Sequence, residues 1–102
     1  SAKPGQFQVV AASLSASNWV TAYVQNTGTV TITLTGIYVL NATTGNLICA
    51  NNTLSITINP GATAKVAATL PTTCSISPGT TYELLFVSST GTKYATSVVA
   101  ST

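Results

Sequence analysis

Charged side chains are nearly absent from this sequence of 102 residues. Its charged residues are Lys3, Lys65, Lys93 and Glu83, which make up 4% of the chain, whereas an ordinary soluble domain carries about 25%. So few charges form neither the basic surface that nucleic acids require nor the polybasic segment that anionic membranes attract. We therefore expect no nucleic-acid partner and no membrane contact through this segment.

Histidine is missing altogether, and Glu83 is the one side-chain carboxylate. Acid–base catalysis usually needs a histidine or a pair of acids, and a serine nucleophile needs a base beside it. The serines of this chain have no such base and no Gly-x-Ser-x-Gly motif. The sequence therefore predicts a protein that is not an enzyme and has no catalytic residues, no bound metal and no cofactor.

The scarcity of carboxylates also predicts unusual acid stability. Acid unfolding is largely the cost of protonating carboxylates that the folded state stabilises as anions, and here only Glu83 and the chain terminus can contribute. We expect the melting temperature to stay nearly constant from about pH 2 to about pH 8 in thermal scans followed by circular dichroism. A melting temperature that collapsed below about pH 4 would contradict this expectation.

Long hydrophobic runs are also lacking, although 45% of the residues are apolar. Thr, Ser, Asn or Gly interrupts every run well before the roughly 18 residues that a membrane-spanning helix needs. The sequence begins Ser1-Ala2-Lys3, with neither an initiator methionine nor the apolar segment of a signal peptide. We expect one domain over residues 1–102 that is the soluble part of a longer precursor.

Hydroxyl and amide groups take the place of charge. The chain has 20 threonines, 11 serines and 7 asparagines, and no charged residue lies between Lys3 and Lys65. Because net charge is what keeps small domains apart, so neutral a surface favours association unless attached glycans maintain solubility. Asn41 and Asn51 each begin an N-glycosylation sequon, Asn41-Ala42-Thr43 and Asn51-Asn52-Thr53, and both are predicted to lie in turns.

Cys49 and Cys74 are the only cysteines. With no histidine, no Cys-x-x-Cys motif and one acid they have no metal-binding partners, so the sequence favours a disulfide. The alternative is two buried thiols that act as small hydrophobic residues. A disulfide requires an oxidising compartment or a hyperthermophilic host and, together with the sequons, predicts an extracellular, cell-surface location.

Apolar residues alternate with polar ones at a period of two, and no helical period occurs. This pattern predicts seven or eight short strands, with turn signals about every ten residues. The predicted strands are residues 8–14, 19–25, 30–40, 47–50, 54–58, 64–70, 82–88 and 93–100. Such spacing is typical of an all-β fold, an immunoglobulin-like antiparallel β-sandwich.

Three local features refine this prediction. Asn26-Thr27-Gly28-Thr29 is predicted to join two strands into a β-hairpin, and the apolar phase slips at Gly36 as a β-bulge requires. Tyr82 lies where immunoglobulin-like domains have a tyrosine corner. The first and last strands are β-prone and carry few protective charges, so they are candidate sheet edges that could accept a partner's strand; the alternative is that both pair only within the sandwich.

The aromatic residues have two interpretations. Trp19 and Tyr23 share one strand parity and could stack against a sugar ring, or they could belong to the core or shield a sheet face. Tyr38 and Tyr94 have the same ambiguity. Lys93 and Glu83 are placed to form an ion pair across the final hairpin, which at a surface would contribute about 0–1 kcal/mol.

Several motifs resemble the globular domain of archaeal type IV pilin-like proteins, a group that includes pilins, archaellins and archaellum accessory subunits. They are Gln25-Asn26-Thr27-Gly28-Thr29, Ile58-Asn59-Pro60-Gly61-Ala62-Thr63 and Gly79-Thr80-Thr81-Tyr82, with a closing hairpin around Gly91. The resemblance implies an extracellular structural or adhesive subunit that self-associates into a filament or binds S-layer proteins, with possible glycan contacts.

One feature of that group is missing from the sequence. Its members carry an N-terminal hydrophobic helix, so either such a helix precedes Ser1 in the precursor or the subunit assembles by strand exchange. The alternative function is an extracellular module that binds carbohydrate, through Trp19 and Tyr23, or an S-layer protein.

Overall fold

The period-two pattern folds into strands along nearly the whole chain. The structure is a computed structural model, and it describes residues 2–102. Its strands are β1 (Phe7–Ser15), β2 (Trp19–Asn26), β3 (Ile32–Asn41), β4 (Leu47–Asn51), β5 (Ile56–Ile58), β6 (Thr63–Thr69), β7 (Thr81–Ser88) and β8 (Lys93–Val99). The prediction of seven or eight short strands is confirmed.

The strands form two antiparallel sheets. One has three strands in the order β1-β2-β6, and the other has the order β4-β3-β7-β8, with the short β5 also paired to β3. The second and sixth strands thus pair in one sheet while the third and seventh pair in the other, which is the connectivity of immunoglobulin-like sandwiches. The predicted fold class, an all-β sandwich, is confirmed.

The predicted hairpin after β2 is wrong. β2 pairs with β1 on one side and with β6 on the other, so neither side is available to β3, and the chain crosses to the opposite sheet between Asn26 and Ile32. Gly28 lies in this crossover against the N-terminal segment, where an added Cβ would come within 2.5 Å of the carbonyl oxygen of Lys3. Gly28 therefore allows the crossover to pack closely against the N-terminal segment.

The core lies between the inward faces of the two sheets. β2, β3 and β7 supply half of the buried apolar residues. The largest fully buried apolar side chains are Phe86, Leu14, Leu34, Ile37, Ile58, Leu84, Val20, Val24, Val39 and Val66. Within each strand, these residues alternate with outward-facing ones except at bulges, and this alternation is the reason that the sequence pattern predicts the strands.

Gly36 is the bulge that the phase slip predicts. The pairing of β3 with β7 shifts between Leu34, opposite Ser88, and Gly36, opposite Val87. The ring of Tyr38 lies over Gly36, since an added Cβ would be 3.0 Å from its Cε1. The bulge keeps the apolar residues of both halves of β3 on the buried face, and the ring covers the space that the glycine leaves.

The segment between β6 and β7, residues 70–80, is tied down at several points. Ile76 is buried, Cys74 forms a disulfide with Cys49 on β4, and the side-chain amide of Asn18 donates hydrogen bonds to the carbonyl oxygens of Pro71 and Cys74, at 3.1 and 3.0 Å. Asn18 itself has a positive φ of 64°, which is a conformation that asparagine tolerates. These contacts hold residues 70–80 against one end of the sandwich.

Tyr82 forms the predicted tyrosine corner. Its ring is buried at the start of β7, and its hydroxyl oxygen accepts a hydrogen bond of 2.9 Å from the backbone N–H of Ser77, five residues upstream. The contact joins the end of the 70–80 segment to the core, as in other immunoglobulin-like sandwiches.

Tyr82→Phe removes this hydrogen bond and little else. We expect the free energy of unfolding to fall by about 1–1.5 kcal/mol, measured by urea denaturation. Tyr94→Phe is the matched control, because the Tyr94 hydroxyl has no hydrogen-bond partner among residues 2–102, and it should change stability by less than about 0.5 kcal/mol. Equal losses of unfolding free energy in the two variants would show that the hydrogen bond of the Tyr82 hydroxyl does not stabilise the fold.

Candidate interaction surfaces

Neither a metal-binding cluster nor a membrane-spanning helix occurs within residues 2–102. Residues 2–102 contain no group of three or more His, Cys, Asp or Glu side chains that could hold a metal ion. The same residues include no helix long and apolar enough to cross a membrane. The features with functional potential are the outer faces of the two sheets, the sequons and the strand edges.

The first surface is the outer face of the β1-β2-β6 sheet, here called the three-stranded face. Trp19 and Tyr23 both point outward from β2, and each is 43% exposed. Four residues along a strand separate them by about 13 Å, so they are two separate platforms and do not contact each other. Lys65 on β6 lies opposite Tyr23, and Val10 on β1 adds an exposed apolar side chain to the face.

Tyr38 and Tyr94 have different surroundings. Tyr94 is half-buried and packs against Phe7, with the ring centroids 6.4 Å apart, so it belongs to the margin of the core where β8 meets β1. Tyr38 lies on the other side of the molecule, on the outward side of β3. Tyr23 and Tyr38 therefore lie on the outer faces of the two sheets, whereas Tyr94 packs against the core.

The second surface is the outer face of the β4-β3-β7-β8 sheet, here called the five-stranded face. It contains a shallow groove of about 320 Å³, lined by Tyr38, Leu40, Leu47, Leu85, Val87 and Lys93. Leu47 is 60% exposed at one side of the groove. No sequence motif predicts this surface, although one signal is present: β7 is apolar at both parities from Leu84 to Val87, which indicates that its outward side is also shielded from water.

Glu83 and Lys93 both lie on the five-stranded face, but they do not pair with each other. The β7–β8 register places Lys93 opposite Val87 and Glu83 opposite Ser97, so the two charges are separated by four residues along the sheet. The predicted ion pair is therefore wrong, because the hairpin between β7 and β8 fixes a register that keeps the two charges four residues apart along the strands. Within the described residues 2–102, the side chains of Glu83 and Lys93 form no hydrogen bond or ion pair.

The two sequons differ in how their asparagine amides are used. The Asn51 Nδ2 donates to the Thr69 carbonyl oxygen at 2.9 Å, while its Oδ1 accepts from both the backbone and the hydroxyl of Thr53, and the residue is half-buried. Asn41 is exposed at the end of β3, and its Oδ1 accepts from the backbone N–H of Thr43 at 2.9 Å. Among residues 2–102, nothing accepts a hydrogen bond from the Asn41 Nδ2.

Both strands that were considered as edges are at the margins of their sheets. β1 ends the three-stranded sheet and has an irregular register between Val9 and Ala11, and the C-terminal segment covers its end through a bridge between Ser15 and Ser101. β8 ends the other sheet in an unbroken register with β7 and carries no charge after Lys93. Of the two, β8 is the less protected edge.

Comparison with solved structures shows the same fold in archaeal proteins. The archaellum periplasmic stator protein FlaG from Sulfolobus acidocaldarius is 22% identical to this chain, with a TM-score of 0.65 over 90% of this chain and 97% of its own. A chain of the archaellum periplasmic stator protein complex FlaF and FlaG from the same organism is 19% identical, with a TM-score of 0.64 over 95% of this chain and 96% of its own. At these identities the likeness shows a common fold over nearly the whole domain.

Sequence-based comparison adds no assignment. No protein-family model matches the chain, and no curated protein sequence matches it.

Proposed function

We propose that this domain is a non-catalytic structural component of an archaeal surface filament, similar in role to an archaellum stator subunit. It works outside the cell by packing against other proteins, either neighbouring subunits or the S-layer. The observation that carries the proposal is the agreement in fold with the stator protein FlaG over 90% of this chain and 97% of that one. A fold can host many functions, so the surface chemistry must agree with it.

The surface chemistry agrees with an assembly role. The outer faces of both sheets present apolar side chains, including Trp19, Tyr23 and Leu47, with exposures of 43%, 43% and 60%. The net charge of +2 puts little electrostatic repulsion between neighbouring molecules. One carboxylate and no histidine leave no acid–base pair for hydrolytic chemistry.

The test is performed in the organism that encodes the protein. A chromosomal copy with an epitope tag is cross-linked in intact cells and purified, and its partners are identified by mass spectrometry. We expect subunits of a surface filament or S-layer proteins, and we expect a deletion strain to lose or shed that filament in electron micrographs. Cytoplasmic partners together with normal filaments in the deletion strain would overturn the proposal.

We further propose that the domain is the globular part of a longer precursor and that it carries a glycan on Asn41. The Asn41 amide nitrogen is exposed at a hairpin tip, whereas that of Asn51 is occupied by the Thr69 carbonyl. Peptide mapping of the native protein should give an N-terminal extension and a hexose-containing mass increment on the Asn41 peptide, absent in Asn41→Gln and retained in Asn51→Gln. An increment on the Asn51 peptide alone would contradict the assignment.

The second candidate function is carbohydrate binding on the three-stranded face. The exposure of Trp19 and Tyr23 favours it, because aromatic rings at a sheet surface stack on sugar rings. A glycan array separates the two functions, since a filament subunit need not bind any sugar. Glycan binding that is lost in both Trp19→Ala and Tyr23→Ala would support carbohydrate binding on this face. An array on which the protein binds no glycan would exclude it.

A further inference from the structure

We propose that two copies of this chain pack with their five-stranded faces together. The two copies are related by a two-fold axis that lies between the faces and runs across the strands, over the row formed by Tyr38, Leu85 and Ala95. Glu83 of each copy then lies beside Lys93 of the other. The inference names a partner surface for the assembly role proposed above and rests on it. It is tested in solution on this chain alone, so its outcome does not depend on whether the protein belongs to a filament.

The centre of the contact is an apolar row. Tyr38 lies opposite Leu85 in the β3–β7 register, and Leu85 lies opposite Ala95 in the β7–β8 register, so the three residues cross the face in one line. The Tyr38 ring lies over Gly36, and Tyr38 and Leu85 both line the groove on this face. Two such sheet faces pack about 10 Å apart in β-sandwiches.

The charges are arranged symmetrically about this row. Glu83 precedes Leu85 by two residues on β7, while Lys93 is the neighbour of Val87, which follows Leu85 by two residues. Each charge is therefore about 7 Å from the row, on opposite sides of it. A two-fold axis along the row reverses the strand direction of the second copy, which places its Val87 and Lys93 over Glu83 of the first.

Charge complementarity identifies the occupant of this face. Lys93 lines the apolar groove, and Glu83, the one acidic side chain of the protein, lies opposite Leu40, another of the lining residues. Within residues 2–102 neither charge forms an ion pair. A symmetric contact would form two ion pairs, each between Glu83 of one copy and Lys93 of the other. Interfaces between identical chains usually have this self-complementary form. A second copy is thus the partner whose charges are known to match.

The test is a charge swap measured by sedimentation equilibrium. We expect the chain to dimerise, and each of Glu83→Lys and Lys93→Glu to raise the dissociation constant at least about tenfold, because two attractive pairs become two repulsive ones. The double variant Glu83→Lys/Lys93→Glu should dimerise like the original chain, since it exchanges the charges and keeps the net charge of +2. High salt should weaken the dimer by screening the pairs.

Lys65→Glu is the matched control. It changes the net charge from +2 to 0, as Lys93→Glu does, but on the three-stranded face, and it should leave the dissociation constant unchanged. A chain that stays monomeric up to about 1 mM would overturn the inference and leave the filament role to be decided by the cellular test. A dimer weakened by Lys65→Glu but not by Glu83→Lys would assign the contact to the other face. A dimer whose dissociation constant changes in none of the three variants would have its contact elsewhere and would overturn the inference equally.

Discussion

Asn26→Ala is expected to lower the free energy of unfolding by about 3–4 kcal/mol, an effect usually associated with large core side chains. Asn26 is fully buried, at 0% exposure, where the chain crosses between the sheets. Its Nδ2 donates to the carbonyl oxygens of Val30 and Ile58, at 2.8 and 2.9 Å, and its Oδ1 accepts from the backbone N–H of Gly28 at 2.9 Å. The loss of all three bonds leaves buried backbone groups unpaired, and each costs about 1–3 kcal/mol.

Chemical denaturation of the purified chain measures this loss. Asn52→Ala is the matched control, because Asn52 is exposed and its side chain has no hydrogen-bond partner among residues 2–102; it should change stability by less than about 0.5 kcal/mol. A loss below about 1 kcal/mol for Asn26→Ala would mean that water replaces the lost bonds, and it would refute the role given to this side chain.

Asn26→Asp separates hydrogen bonding from shape. A carboxylate of the same size would face two carbonyl oxygens in a buried site, so burial and repulsion would raise the pKa of the introduced acid in the folded state. The variant should therefore be least stable at neutral pH and should gain stability as the pH falls through the raised pKa, reaching its maximum below the pKa of the unfolded chain. The original chain should show almost no such trend, so the pH dependence can be assigned to the one new group.

The strands could be predicted because their information is local. Alternation at a period of two places Leu84, Phe86 and their equivalents on one side of each strand, whatever that strand pairs with. The bulge at Gly36 is predictable for the same reason, since a one-residue slip would otherwise expose every apolar side chain that follows it. The tyrosine corner at Tyr82 follows from its position at the start of a strand after a long connection.

The assignment of strands to sheets could not be predicted from local signals. Asn26-Thr27-Gly28-Thr29 has the composition of a hairpin turn, and only the competition of β1 and β6 for both sides of β2 excludes a hairpin there. The sequence predicts Asn26 as a turn residue, because a polar side chain in such a motif is usually exposed. Its burial depends on carbonyl groups of Val30 and Ile58, and the latter is contributed by a distant part of the chain.

The candidate surfaces depend on long-range pairing in the same way. The exposure of Trp19 and Tyr23 was one of two interpretations that strand parity left open, because parity tells which residues share a face but not which face is buried. The groove on the five-stranded face brings together β3, β4, β7 and β8, and no short motif encodes that register. The separation of Glu83 from Lys93 likewise follows from the turn that sets the β7–β8 register.

Removal of the disulfide should have an effect as large as that of Asn26→Ala. Cys49 and Cys74 are joined across 25 residues of sequence, for which the loop-closure entropy corresponds to about 3.5 kcal/mol. We expect the double variant Cys49→Ala/Cys74→Ala to lose about 3–4 kcal/mol in urea unfolding. Reduction of the original chain should produce the same loss, and a reductant should not affect the double variant; a loss below about 1 kcal/mol would contradict this expectation.

The folded state should nevertheless keep its structure without the disulfide. Residues 70–80 remain attached through the two hydrogen bonds from the Asn18 amide and through the contact between Tyr82 and Ser77. The loss should therefore arise mainly in the unfolded chain, which becomes less restricted, so the denaturant dependence of the unfolding free energy should stay the same or increase. Hydrogen exchange tests this reasoning at the Cys74 N–H, which donates to the Pro71 carbonyl oxygen at 2.9 Å. If that amide loses protection only in step with global stability, the bridge acts on the unfolded state; if it exchanges far faster than the core, the bridge holds the segment in place.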